Sequence, residues 1–373
     1  MSLWVESADQ DLFSITEESG QRAVRTFQTE KLFGALLASA PGSGDIVGQV
    51  AALVEQMLKE GQSLGALLPA VLGMLPPGEH VPLAILRVVE GMEAQLVEVD
   101  APPLFLVRRG RPVLLPVVEE EIAGRLVRQC DFALQEGDHL AMVSAEYIRA
   151  KGWDRRWGWR DVALSIKRLT DTGGDAEQLL GALVRMYHRL AQGEPAPAVT
   201  VLAMHIRPQR SATVWSGPPA NPVDDARAVE RFWAESGRRI ICGDTTAAVA
   251  ARILGRSLEQ EPRPAVGWAE VPPTWRLEGV DLVTEGVVTL RKTRERLNRA
   301  RRAADLPRAN DGATRLARLL LEADVIRFLI GTAVNPAQRD GGVSWRQEVV
   351  HNLIADLEAR GKIVSVEYLG KKD

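Results

Sequence analysis

At 373 residues, 46% hydrophobic and 25% charged, the chain is long enough for two domains with cores of their own. A formal net charge of −3 argues against a dedicated nucleic-acid binder, which carries a basic excess. No apolar run reaches the roughly 18 to 20 residues of a membrane span, and the N-terminus lacks a basic stretch followed by an apolar one, so the expectation is a cytoplasmic protein with neither nucleic-acid nor membrane partners.

The first motif is Ser39-Ala40-Pro41-Gly42-Ser43-Gly44. It precedes a pattern in which Ile46, Val50, Val54, Met57 and Leu58 fall on one helical face, so it reads as a strand-to-helix junction with a glycine loop. Leu64 to Leu75 reads as a core helix. Leu134 to Glu146 reads as a turn feeding a buried strand that stops at a small polar loop, with Asp138 closing the turn in Glu136-Gly137-Asp138. Ala196 to Leu202 reads as a strand entered from a proline-rich bend. Trp153, Trp157 and Trp159 form either a packed seam or a protein-binding patch. Cys130 and Cys242 have no CxxC or Cys/His spacing and read as small buried apolar residues. His80, His139, His188, His205 and His351 show no metal spacing either.

After Ile206 to Arg210 the texture changes to strand-loop-helix units, which sets a domain boundary near residue 210 and divides the chain into 1–210 and 211–373. Arg238 to Cys242 is a short buried strand. Gly243-Asp244-Thr245-Thr246 is a polar loop, and a helix follows from Ala247. Such a loop sits at a helix N-terminus, where unpaired N–H groups and the helix dipole favour a phosphate or carboxylate; the plainer reading is that Thr245 or Thr246 caps the helix. Val280 to Leu290 forms a second junction, with Thr284, Glu285 and Gly286 at its turn and a basic helix from Arg291 to Arg302, whose charges read as a solvated face. Val325 to Pro336 is a third, ending near Asn335. Ligands of open α/β sheets sit beyond the carboxyl ends of the strands, so Gly243, Asp244, Thr245, Thr246, Thr284, Glu285, Gly286 and Asn335 are the candidate ligand-binding rim. A variant of this idea makes Asp244, Asp281 and Glu285 acids or metal ligands. Trp345 to Leu369 reads as a helix and a last strand.

In order and spacing, the first-half motifs resemble the stage II sporulation protein E branch of the C-type, metal-dependent serine/threonine phosphatases, where the segments read D-G-x-G-S-G, G-D-x-L-x-x-x-S-D-G and D-D-x-T-V. Val97 to Leu106 followed by Arg109-Gly110 resembles the central hairpin of that family, and so does Trp157-Gly158-Trp159 after the third motif. The second half resembles a C-terminal extension of some bacterial members, through Gly217-Pro218-Pro219, Cys242 to Ala247, Gly279 to Gly286 and Asn335-Pro336-Ala337, with Asp244 standing where glycine is expected. An acid there repels phosphate unless a cation is also present.

The resemblance implies an α/β protein, α+β in its N-terminal half: a phosphatase-like αββα sandwich followed by a three-layer α/β domain. It also implies where two divalent metals would be held by carboxylates to activate water. At those positions this chain has Ser39, Ala145, Pro197 and Ala198, with Ala40 and Glu146 in place of the motif glycines. The expectation is therefore no catalytic residue, no metal and no cofactor. The chain should be a pseudophosphatase-like regulatory protein with a protein or phosphopeptide partner and a small anionic ligand for the C-terminal domain. The alternative is an active phosphatase that holds manganese or magnesium on relocated ligands drawn from Asp45, Glu146 and Asp138.

Overall fold

The computed structural model describes residues 2–12, 21–40, 46–149, 159–170, 173–190, 199–262, 271–333, 339–340 and 343–370. The chain divides into two compact units, Met1–Pro208 and Gln209–Asp373.

The first unit runs β1 (Leu3–Leu12), β2 (Gln21–Gln28), β3 (Leu32–Ala40), α1 (Ile46–Lys59), α2 (Leu64–Met74), β4 (Leu83–Val89), β5 (Glu93–Val99), β6 (Phe105–Arg108), β7 (Arg111–Val113), β8 (Val118–Ile122), β9 (Arg125–Ala133), β10 (His139–Val143), α3 (Ala145–Arg149), α4 (Trp159–Thr170), α5 (Ala176–Leu190) and β11 (Val199–Pro208). Two antiparallel sheets result, ordered β1-β11-β10-β6-β7 and β2-β3-β4-β5-β9-β8. Strand alternation explains the layering. Leu140 and Met142 of β10 join Leu86 and Leu96 of the other sheet in a core between the two. Ala141 and Val143, pointing the opposite way, pack with Leu179 and Leu183 of α5. The second sheet is covered on its outer face by α1, whose Val47, Val50, Val54 and Leu58 make a stripe of helical period, and by α2, capped by the Ser63 hydroxyl at the Ala66 amide. This is an αββα sandwich. The edge strand β8 is largely exposed and carries Glu119, Glu120 and Glu121 in a row.

The second unit runs β12 (Ser211–Ser216), α6 (Asp225–Ala234), β13 (Arg238–Cys242), α7 (Asp244–Leu254), β14 (Leu258–Gln260), β15 (Thr274–Leu277), β16 (Leu282–Thr284), α8 (Val287–Leu297), α9 (Gly312–Glu322), β17 (Val325–Gly331), β18 (Arg339–Asp340), β19 (Val343–Ser344), α10 (Trp345–Glu358) and β20 (Ile363–Leu369). Its main sheet is ordered β14-β15-β16-β13-β12-β17-β20, parallel from β16 to β20 and antiparallel at the β14-β15 end. Residues of α8, α9 and α10 bury one face, with Val214, Ile240 and Phe328; α6 and α7 bury the other, with Trp215, Ile241 and Leu329. The unit is a three-layer α/β sheet domain.

Three helix boundaries differ from the sequence expectation, one of them the end of α8, which stops at Leu297 with Asn298 as its cap and does not reach Arg302. Helix α7 begins at Asp244, not Ala247, so the polar segment is the first helical turn and not a free loop. Helix α8 begins at Val287, because the β-branched run Val287-Val288-Thr289 buries Thr289 and Leu290 as a helix face after Gly286. The basic residues of α8 are not simply solvated: Arg294 pairs with Asp356 at 2.6 Å, and Arg296 with Asp311, the N-cap of α9. Among the described residues no helix is long and apolar enough to cross a membrane.

Candidate functional site

In the first unit, Ser39 lies on β3 opposite Arg22, and Ala145 opens α3 directly after β10. Ala145 is buried, and its methyl group offers no oxygen to a metal. The adjoining strand ends are tied together: the Ser144 amide donates to the Thr200 carbonyl at 3.0 Å, and the Thr200 amide donates to the Ser144 hydroxyl at 3.2 Å. Gly42, Ser43, Gly44, Asp45, Trp153, Trp157, Pro197 and Ala198 lie outside the described residues.

Asp138, offered by the sequence as a relocated ligand, is fully buried and already committed. Arg108 grips it with Nε at 2.8 Å and Nη2 at 2.7 Å, and the Gln135 amide donates to it at 2.8 Å. It closes the turn into β10. A carboxylate already neutralised by a bidentate guanidinium is a poor ligand for a second cation, which the arginine would repel. Glu146 is different, since its Oε2 is buried with no hydrogen-bond partner. It stands alone, however: among the described residues no group of three His, Cys, Asp or Glu is placed to hold a metal ion. The described donor set therefore does not fit a two-metal centre.

Glu98 on β5 is a carboxyl driven far above its ordinary range. Burial pushes it up to about 7, against the pull of Arg128 at 3.0 Å and of the Leu104 amide, which donates to it at 2.6 Å. Both oxygens are engaged, so Glu98 fixes the bend between β5 and β6.

In the second unit the parallel register aligns the strand ends. Ser216 sits opposite both Cys242 and Ile330, and Cys242 opposite Thr284. Gly243, Thr284, Glu285 and Gly286 come together: the Gly243 amide donates to the Thr284 carbonyl at 2.9 Å, and Gly286 abuts Gly243. The helix starts beside them supply their own anions. Asp244 Oδ1 accepts from the Thr245 amide at 2.7 Å, and Glu285 Oε2 accepts from the Thr289 amide at 3.2 Å. Thr246 Oγ1 is buried without a partner beside Gly243. Asn335 lies outside the described residues. The variant trio of acids is not assembled: Asp281 precedes β16 and binds Arg238 at 2.7 Å and the Arg239 amide at 2.8 Å, at the amino ends of the strands and away from Asp244 and Glu285.

No family model matches the sequence, and neither does any curated protein. Its structural neighbours are PP2C-type phosphatase domains. The phosphatase domain of the cell-fate determinant SpoIIE from Bacillus subtilis is 15% identical over 55% of this chain and 93% of that one, with a TM-score of 0.42. The RsbU and RsbW domains of Rv1364c from Mycobacterium tuberculosis are 15% identical over 62% of this chain and 68% of that one, with a TM-score of 0.46. The catalytic domain of the serine/threonine phosphatase PstP, solved in complex with 2 manganese ions, is 12% identical over 56% of this chain and 100% of that one, with a TM-score of 0.41. Likeness of this degree says nothing about chemistry, which the residues themselves must decide.

Two rim residues escaped the sequence. Ser216 at the end of β12 is fully buried with an unpartnered hydroxyl, and Arg346 in the first turn of α10 has a buried Nε with no acceptor. Gly217-Pro218-Pro219 marked the right strand end, but no spacing rule connects it to a residue so far along the chain.

Proposed function

We propose that this chain is a catalytically silent, serine-phosphatase-like regulatory protein that engages a protein or phosphopeptide partner through its first unit and takes up a small anionic ligand in its second. The observation that carries this reading is the fate of the acids: Ala145 stands where an aspartate would ligate, and the surviving Asp138 is locked by Arg108. Without carboxylate oxygens to hold two cations, no hydroxide nucleophile is generated. A scaffold that keeps its layered core but lacks that machinery is left with recognition.

One observation favours the alternative of a working phosphatase with relocated ligands, namely the unpartnered buried Oε2 of Glu146. A single assay separates the two. The full chain, supplied with manganese, is expected to hydrolyse neither an aryl phosphate nor a phosphoserine peptide above the rate without protein. Metal-dependent turnover that disappears in Asp45→Ala or Glu146→Ala overturns the proposal.

A further inference from the structure

We propose that the second unit binds a small-molecule oxyanion, a carboxylate or a phosphate, in the notch between the ends of β12 and β17, with Arg346 as counter-charge and Ser216 as hydroxyl donor. This rests on the ligand reading of the second unit and is independent of the chemistry of the first. It moves the anion from the Gly243–Thr246 turn to the other side of β12.

Topology marks the notch. From β12 the chain steps to β13 and then β16 on one side, and afterwards returns to β17 and β20 on the other. The connections therefore diverge between β12 and β17, and in open parallel sheets that is where the crevice for a ligand opens.

Charge then selects the ligand. The Arg346 guanidinium donates from Nη2 to the carbonyls of Gly331, at 3.2 Å, and Ala333, and among the described residues it has no carboxylate partner. Burial lowers its pKa, and among the described residues no acid compensates. A desolvated cation without a counter-ion is unfavourable, and a guanidinium fork fits a carboxylate or phosphate two-point. The guanidinium is held at the strand ends by close packing: a Cβ on Gly217 would collide with Arg346 Nη1, and one on Gly331 with the carbonyl oxygens of Gly217 and Pro218.

Ser216 supplies the second, independent sign. It alternates with Ala212 and Val214 and so faces the side of the sheet that α10 covers, one residue before the glycine over which the guanidinium lies. Its hydroxyl is fully buried and has no partner. Buried hydroxyls are almost always satisfied, so an unpaired one at the same strand end as a cation bonded only to carbonyls points to an absent acceptor. The starts of α7 and α8 compete poorly, since Asp244 and Glu285 already occupy their amides and would repel an anion.

The test is calorimetric titration of the full chain at constant ionic strength with inorganic phosphate and, separately, acetate, with chloride as the blank; the arm that binds identifies the head group. Saturable binding by one of them is expected, weakened at least tenfold in Arg346→Gln and several-fold in Ser216→Ala. The serine variant only removes an unpaired hydroxyl, so it should fold normally and keeps the test decisive if the arginine variant does not. Binding that survives both substitutions overturns the notch while leaving the unit an anion binder. Adenosine and magnesium chloride are titrated alongside; if either binds and neither oxyanion does, the oxyanion assignment falls alone. If nothing binds, the ligand reading of the unit falls with it.

Discussion

Replacing Asp138 by alanine tests whether this acid is structural or a ligand held in reserve. The side chain is fully buried and accepts three short hydrogen bonds, from Arg108 Nε, Arg108 Nη2 and the Gln135 amide. Breaking a buried pair from one side costs about 3–5 kcal/mol, chiefly through the charge left behind. The Arg108 side chain is 24% exposed and keeps its bond to the Ala133 carbonyl, which places the ion-pair loss at the lower end. The orphaned Gln135 amide adds about 1 kcal/mol. A total near 4 kcal/mol, at a urea m-value of about 2 kcal/mol per molar, lowers the unfolding midpoint of the first unit by about 2 M. Hydrogen exchange of peptides from β10 and β11 across a urea series reports that unit specifically. In the cycle with Arg108→Ala, the double variant should be less destabilised than the sum of the singles. A midpoint within about 0.5 M of the wild type, or a variant whose chief defect is lost manganese affinity, would refute the structural assignment.

Three other outcomes follow from the same structure. Glu98 has its carboxyl raised from 4.5 to about 7, so the fold favours its protonated form; that stabilisation is complete below 4.5 and is lost as pH rises through 7. The urea midpoint of the wild type should therefore fall relative to Glu98→Gln between those pH values and level off above, and a pH-independent difference would contradict it. Gly331→Ala should destabilise the second unit by about 1–3 kcal/mol or more, because its Cβ would overlap two carbonyl oxygens; an unchanged thermal midpoint would count against the close packing of β12 and β17. Burial pushes the thiols of Cys130 and Cys242 up to about 11 and about 12, so alkylation at pH 8, followed by mass spectrometry, should proceed only on unfolding.

Much of the architecture was legible because one-sided burial writes itself into spacing. Ile46 to Leu58 gave α1, and the unbroken apolar run of β10 reflects a strand covered on both faces. Local chemistry misled where tertiary contacts overrode it. Val287-Val288-Thr289 has the composition of a strand, yet burial of Thr289 and Leu290 against the sheet makes it a helix start. Asp244 read as a loop acid and is instead the first residue of α7, bonded to its own helix. The turn role of Asp138 could be inferred from Glu136-Gly137-Asp138, but its arginine partner lies 30 residues away and nothing local names it. Arg346 was illegible for the same reason, since its importance exists only once β12 and β17 are neighbours.

The glutamate row on β8 has a consequence for how these molecules meet in solution. An unpaired strand margin is a template on which a second chain can stack, and natural sheets commonly guard it with charge. Two copies approaching β8 to β8 would press like charges together before any amide could reach a carbonyl, so the acidic row works as a fender against fibril-type stacking. Its protection should weaken in concentrated salt, where such repulsion is screened.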